Sequence, residues 1–62
     1  MMSVESHPDQ ITVTIKDRNR EKAELQATNQ IAVLLKAGYR YPRITQKQNN
    51  GVTTIILTAR SM

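Results

Sequence analysis

Residues 10–16 alternate strictly between apolar and polar side chains, with Ile11, Val13 and Ile15 as the apolar members. A period of two residues is typical of a half-buried β-strand, and the β-branched side chains favour that structure. Residues 1–9 contain Pro8 and no comparable apolar pattern. The sequence therefore predicts a flexible leader over residues 1–9 and a single folded domain over residues 10–62.

The pattern changes to a helical period after Asn19. From about Arg20 to Ala37, apolar residues recur three or four positions apart, as in an amphipathic helix. Asn19 is a favoured helix N-cap, and Gly38 suits the left-handed residue that often follows a helix. The apolar stripe consists of Ala23, Ala27, Ile31, Leu34 and Leu35.

A β-hairpin is predicted for the rest of the chain. The segments 43–49 and 52–60 flank Asn50 and Gly51, a dipeptide preferred in two-residue type I′ turns. The turn defines a register whose pairs are Asn49 with Val52, Lys47 with Thr54, Thr45 with Ile56, Arg43 with Thr58, Tyr41 with Arg60, Gln46 with Ile55, Ile44 with Leu57, and Pro42 with Ala59.

These elements predict an α+β fold: one small β-α-β-β domain with a three-stranded sheet and a helix packed on one face. The last strand is the most apolar and belongs in the centre, whereas Pro42 suits an edge strand, so the predicted spatial order is 2-3-1. The predicted core side of the sheet, which packs against the helical stripe, consists of Ile11, Val13, Ile15, Ile44, Ile55, Leu57 and Ala59.

The side of the sheet opposite the helix is rich in threonine and basic residues, and it is the candidate binding surface. The residues predicted to contact a partner are Lys16, Tyr41, Arg43, Lys47, Ile56 and Arg60. Leaving Ile56 exposed would forgo roughly 1.5–3 kcal/mol of burial, which favours a protein interface.

The charges are distributed unevenly along the chain, whose formal net charge is +4. All five acidic residues lie in the first 24 positions, and five cations but no acid follow from Leu25 onward. A basic half of this kind indicates an anionic partner, either an acidic protein surface or a nucleic acid. The alternative is that the cations keep a small sheet soluble and protect its edges, with threonine present for its β-propensity.

No residues are spaced for catalysis or for binding a cofactor. His7 is the only histidine and there is no cysteine, so neither a disulfide nor a tetrahedral zinc site is expected. Gly38 and Gly51 serve a helix end and a turn rather than a phosphate loop. We expect no enzymatic activity, no metal, no cofactor and no small-molecule substrate. Without an apolar run of about 18 residues or a signal peptide, we expect a cytoplasmic protein that does not bind membranes.

A chain of 62 residues buries roughly 60% of the surface that its unfolded form exposes, so it is marginally stable alone. With disulfides and metals excluded, self-association is the remaining source of stability, and we expect a homo-oligomer, most simply a dimer. The sequence thus predicts a small non-enzymatic binding protein that self-associates and recognises a partner protein through its basic sheet face and hairpin. Nucleic-acid binding through the same face is the alternative; Tyr41 is its one candidate stacking residue.

Overall fold

The computed structural model describes residues 1–61, which form a four-stranded antiparallel sheet with one helix across one face. The elements are β1 (Met2–Ser6), β2 (Gln10–Asp17), α1 (Arg20–Lys36), β3 (Tyr39–Asn49) and β4 (Val52–Ser61). The strands lie in the order β1-β2-β4-β3. The α+β class is confirmed, and the three predicted strands have the predicted relative order, with β4 between β2 and β3.

The prediction of three strands is wrong, because residues 2–6 of the expected leader form β1, antiparallel to β2. Pro8 lies in the turn between the two strands, where its fixed φ is compatible with a turn. This turn is closed by a 2.8 Å hydrogen bond from the His7 amide to the Gln10 carbonyl. Every residue of β1 is exposed, so main-chain pairing rather than burial holds the strand. Met2 and Val4 alternate with polar residues, but a pattern with two apolar positions is too short to predict a strand.

Helix α1 begins and ends where its capping residues predict. The Asn19 side chain accepts a 3.2 Å hydrogen bond from the Lys22 amide, and the Asp17 carboxylate accepts one of 2.8 Å from the Asn19 amide. At the other end, Gly38 has a φ of +103° and its amide donates to the Leu35 carbonyl. The left-handed residue stops the helix and turns the chain into β3.

The β3–β4 hairpin has the predicted register from Asn49 back to Arg43. Asn50 and Gly51 have φ values of 52° and 75°, as a type I′ turn requires. Beyond Arg43 the prediction is wrong, because the register shifts between Arg40 and Arg43 and Arg60 pairs with Arg40 instead of Tyr41. The expected pair of Pro42 with Ala59 is likewise absent from the register that residues 1–61 adopt. Proline cannot donate to the ladder, and such an irregularity accommodates it.

The core lies between α1 and the two central strands. Its buried side chains are Val13, Ile15, Ala23, Ala27, Leu34, Ile55, Leu57 and Ala59. Two residues predicted to be in the core are exposed, Leu35 at 40% and Ile44 at 55%, and two others, Ile11 and Ile31, are only partly buried against it. Because α1 packs mainly over β4 and β2, it leaves the helix side of β3 partly uncovered, and an open cavity of about 170 Å³ lies beside Ile44 and Ile31.

Candidate interaction surface

The sheet face opposite α1, which we call the basic face, is defined by the alternation of β4. Thr53, Ile55, Leu57 and Ala59 are buried under the helix, so the residues between them point to the other side. The strand registers extend this assignment to the neighbouring strands. The basic face consists of Ser3, Glu5, Gln10, Thr12, Thr14, Lys16, Arg43, Thr45, Lys47, Thr54, Ile56, Thr58 and Arg60, with Tyr41 at its corner.

Strand pairing arranges these side chains in rows across the sheet. From β2 through β4 to β3, the rows are Lys16 with Thr54 and Lys47, then Thr14 with Ile56 and Thr45, then Thr12 with Thr58 and Arg43. Directly opposed side chains in adjacent strands lie about 5 Å apart, so each row is a contact group. Five of the six predicted binding residues thus lie on one regular surface, and Tyr41 lies at its corner.

Ile56 occupies the centre of the basic face. It is half-buried, between Thr14 of β2 and Thr45 of β3, and is therefore less exposed than predicted from the sequence. The threonine methyl groups beside it make the centre weakly apolar, while the cations lie around it. A small apolar centre with a charged rim is the usual composition of a protein-recognition surface.

An open cavity of about 410 Å³ lies at one corner of the basic face, lined by Gln10, Tyr41, Arg43, Thr58 and Arg60. Two guanidinium groups border it and no carboxylate does. Tyr41 has a φ of 58° and is 72% exposed, so the register shift holds a large aromatic side chain in solvent in a conformation that non-glycine residues seldom adopt. Such strain is frequent at binding sites.

Gln10 and Thr58 line this corner but are not among the predicted binding residues. Thr58 is on the predicted face as the partner of Arg43, whereas Gln10 was not predicted there. It pairs with Arg60 across β2 and β4 and therefore reaches the same side of the sheet. The hairpin turn determines the pairing of β3 with β4, but no tight turn links β2 to β4. The sequence alone therefore does not define the register that pairs Gln10 with Arg60.

The cations of the basic face are not neutralised by ion pairs within the described residues. Within residues 1–61, no carboxylate forms an ion pair with Lys16, Arg43, Lys47 or Arg60. Glu5 shares the face but lies on β1, three strands from Arg43 in the same row. That separation is about 14 Å at the usual strand spacing, beyond the screening length at physiological salt. The face is therefore strongly basic toward β3 and weakly acidic at β1.

Arg40 does not add its charge to this surface, although it is the Cα partner of Arg60. Its guanidinium donates hydrogen bonds of 2.9 Å to the Leu35 carbonyl and 2.8 Å to the Tyr39 carbonyl. The Arg40 charge therefore lies at the C-terminal end of α1, where it stabilises the negative end of the helix dipole.

The described part of the chain contains no group of three or more His, Cys, Asp or Glu side chains placed to hold a metal ion. In residues 1–61 there is also no helix with the length and apolarity needed to cross a membrane. Comparison with protein-family models, with curated protein sequences and with solved structures gives no significant match in any of the three.

Proposed function

We propose that this protein is a small, non-enzymatic binding protein that self-associates and recognises an acidic partner protein through its basic face. The observation that carries the proposal is the composition of that face: a half-buried Ile56 among threonines, surrounded by four cations that no carboxylate of residues 1–61 neutralises. An acidic protein surface with a small apolar centre complements this arrangement.

The apolar centre favours a protein partner over a nucleic acid. Burial of Ile56 against an apolar side chain contributes to protein binding, whereas phosphates and sugars offer no equivalent contact. Single-stranded nucleic acids bind strongly to surfaces where several aromatic residues stack on successive bases, and the basic face has Tyr41 alone, at a corner. Nucleic-acid binding remains the second candidate, because Tyr41 lies beside two arginines in an open cavity.

The test uses fluorescence anisotropy with two labelled probes, a short peptide of alternating Glu and Val and a single-stranded oligonucleotide. We expect the peptide to bind, and Arg43→Glu with Lys47→Glu to weaken it at least about tenfold, because like charges then face each other. The matched control is Arg18→Glu with Lys22→Glu, which makes the same charge change outside the basic face and should leave affinity nearly unchanged.

A third variant and the salt dependence distinguish the two partner classes. Ile56→Ser should weaken peptide binding strongly, because a hydroxyl replaces the apolar centre while the charge of the face stays the same. Tighter binding of the oligonucleotide, with log affinity falling by about 0.7 per contacted phosphate in log salt and little sensitivity to Ile56→Ser, would overturn the proposal in favour of nucleic acid. If neither probe binds at low salt, the basic face is only a solvated surface and the proposal is wrong.

A further inference from the structure

The sheet has two free edges, and they differ in how well they are protected against pairing with another strand. The β3 edge contains Pro42, a register shift beside it, and the cations Arg43 and Lys47. Proline, irregular pairing and basic side chains are the features that keep edge strands of natural proteins from associating. Any pairing of β3 with β3 of a second copy would also bring two sets of Arg43 and Lys47 onto neighbouring strands of one face.

The β1 edge has none of these protections in residues 2–6, where the sequence is Met-Ser-Val-Glu-Ser. Its helix side carries exposed apolar groups, with Met2 44% and Val4 55% exposed. These two residues pair with the buried Ile15 and Val13 of β2, so they continue the core layer beyond the reach of α1. The structure therefore leaves an unprotected strand edge next to the core.

The main-chain hydrogen bonds show which residues of β1 face outward. Met1 and Lys16 exchange hydrogen bonds of 2.7 and 2.8 Å, and the His7 amide donates to Gln10 at the other end of the pair. In an antiparallel ladder, residues that bond to the neighbouring strand alternate with residues whose amide and carbonyl point away. The outward-pointing residues are therefore Met2, Val4 and Ser6.

We propose that two copies of this chain pair antiparallel through β1, about a twofold axis at Val4. In this register Val4 lies opposite Val4 of the second copy, and Met2 lies opposite Ser6. All outward-pointing residues then find partners, giving about six main-chain hydrogen bonds.

The side chains suit this pairing on both sides of the sheet. On the helix side, the two Val4 side chains become direct cross-strand neighbours, a favourable apolar pair. On the basic face, Glu5 lies opposite Ser3 of the second copy, so the two carboxylates are not opposed. Arg43 and Lys47 of each copy lie on β3, at the far edges of the combined sheet and away from the twofold axis.

The dimer deepens the proposed function and rests on its self-association. A twofold axis perpendicular to the sheet keeps both helices on one side, so the two basic faces join into one surface with a cationic region at each end. Such a dimer engages a partner at two equivalent places, and its avidity exceeds that of one copy when the partner spans both.

The first experiment measures molar mass by sedimentation or light scattering as a function of concentration. We expect a dimer for the wild type and a monomer for Val4→Lys, because two lysines would then be opposed across the axis. Gln46→Lys is the matched control: Gln46 is exposed, lies on the helix side of the other edge strand, and should leave the dimer intact. A monomeric wild type, or a dimer dissolved by Gln46→Lys and not by Val4→Lys, would overturn the proposal.

The second experiment uses the unmodified chain, so it does not depend on a variant that folds. Amide hydrogen exchange at Val4 and Ser6 should slow as protein concentration rises, because these amides become bonded in the dimer. The outward amides of β3, at Ile44 and Gln46, should exchange fast at every concentration and serve as the internal reference. Concentration-independent exchange at Val4 would contradict the β1 interface.

The two proposals fail separately. Arg43→Glu with Lys47→Glu should abolish binding of the acidic peptide while the mass stays that of a dimer. Val4→Lys should leave a monomer whose single basic face still binds the peptide. A peptide-binding monomer in the wild type would end the dimer proposal and the self-association part of the proposed function, but not recognition by the basic face. A dimer that binds neither probe would end the recognition proposal alone.

Discussion

Thr53 is the one buried polar residue in the core layer of residues 1–61, with a side chain 0% exposed on the helix side of β4. Its hydroxyl finds no hydrogen-bond partner within that part of the chain. An unsatisfied buried hydroxyl costs on the order of 1–3 kcal/mol. Its neighbours along β4 on the same side are isoleucine, leucine and alanine, so the position itself favours an apolar side chain.

Replacing Thr53 with valine should therefore stabilise the protein. Valine keeps the β-branched shape and removes the unpaired hydroxyl, so we expect the free energy of unfolding to rise by about 1 kcal/mol. For a domain of this size, that corresponds to an increase in Tm of about 4–8 °C in thermal denaturation. Thr54→Val, one residue along on the basic face, is the control and should stay within about 0.5 kcal/mol. A destabilised Thr53→Val variant would show that the hydroxyl is hydrogen-bonded in solution.

At the level of elements, the sequence predicts those strands and turns that have a periodic side-chain pattern or a characteristic turn dipeptide. The alternation at Ile11, Val13 and Ile15 gave β2, and Asn50 with Gly51 gave the hairpin and its register. The same register put Arg43, Lys47 and Ile56 on one face. The predictable part of the candidate surface is therefore the part that strand alternation and the tight turn define.

The features that the sequence did not predict are set by main-chain hydrogen bonding or by the position of α1, and neither leaves a side-chain pattern. Strand β1 is exposed along its whole length, so its hydrogen bonds to β2 leave no buried side-chain pattern to detect. The register shift near Tyr41 is a change in main-chain pairing. The side-chain pattern gives no sign of it, so the regular hairpin register was extended past this point. The exposure of Ile44 depends on where α1 lies across the sheet, which periodicity does not define.

The hairpin turn can be tested with Gly51→Val. The φ of Gly51 is +75°, and a Cβ added there would meet no atom within 4 Å, so the penalty is backbone strain and not steric crowding with the rest of the chain. A β-branched residue resists positive φ, and we expect a loss of about 1 kcal/mol or more in urea denaturation. Asn49→Val, in the adjacent strand position, should cost far less because valine favours β-structure. Equal losses at both positions would contradict the turn assignment.

At the level of the whole molecule, β4 contributes to both the core and the proposed recognition surface. It pairs with β2 on one side and β3 on the other, and its alternate residues face the helix and the basic face. The core under the helix is small and aliphatic, and single cores of this size rarely provide more than about 3–5 kcal/mol. The protein therefore tolerates little loss of free energy on the helix side of β4, whereas substitutions on the other side should affect mainly the proposed recognition surface.

Alanine substitutions at two adjacent residues of β4 should separate these roles. Leu57 is 0% exposed at the centre of the core, and Leu57→Ala should cost about 2–5 kcal/mol, a large share of the total. Because β4 holds both neighbouring strands, the loss should unfold the whole sheet, seen as collapse of amide chemical-shift dispersion. Ile56→Ala, on the basic face, should keep a dispersed spectrum and a cooperative melt but bind the acidic peptide more weakly. A folded Leu57→Ala beside an unfolded Ile56→Ala would mean that the helix covers the opposite face.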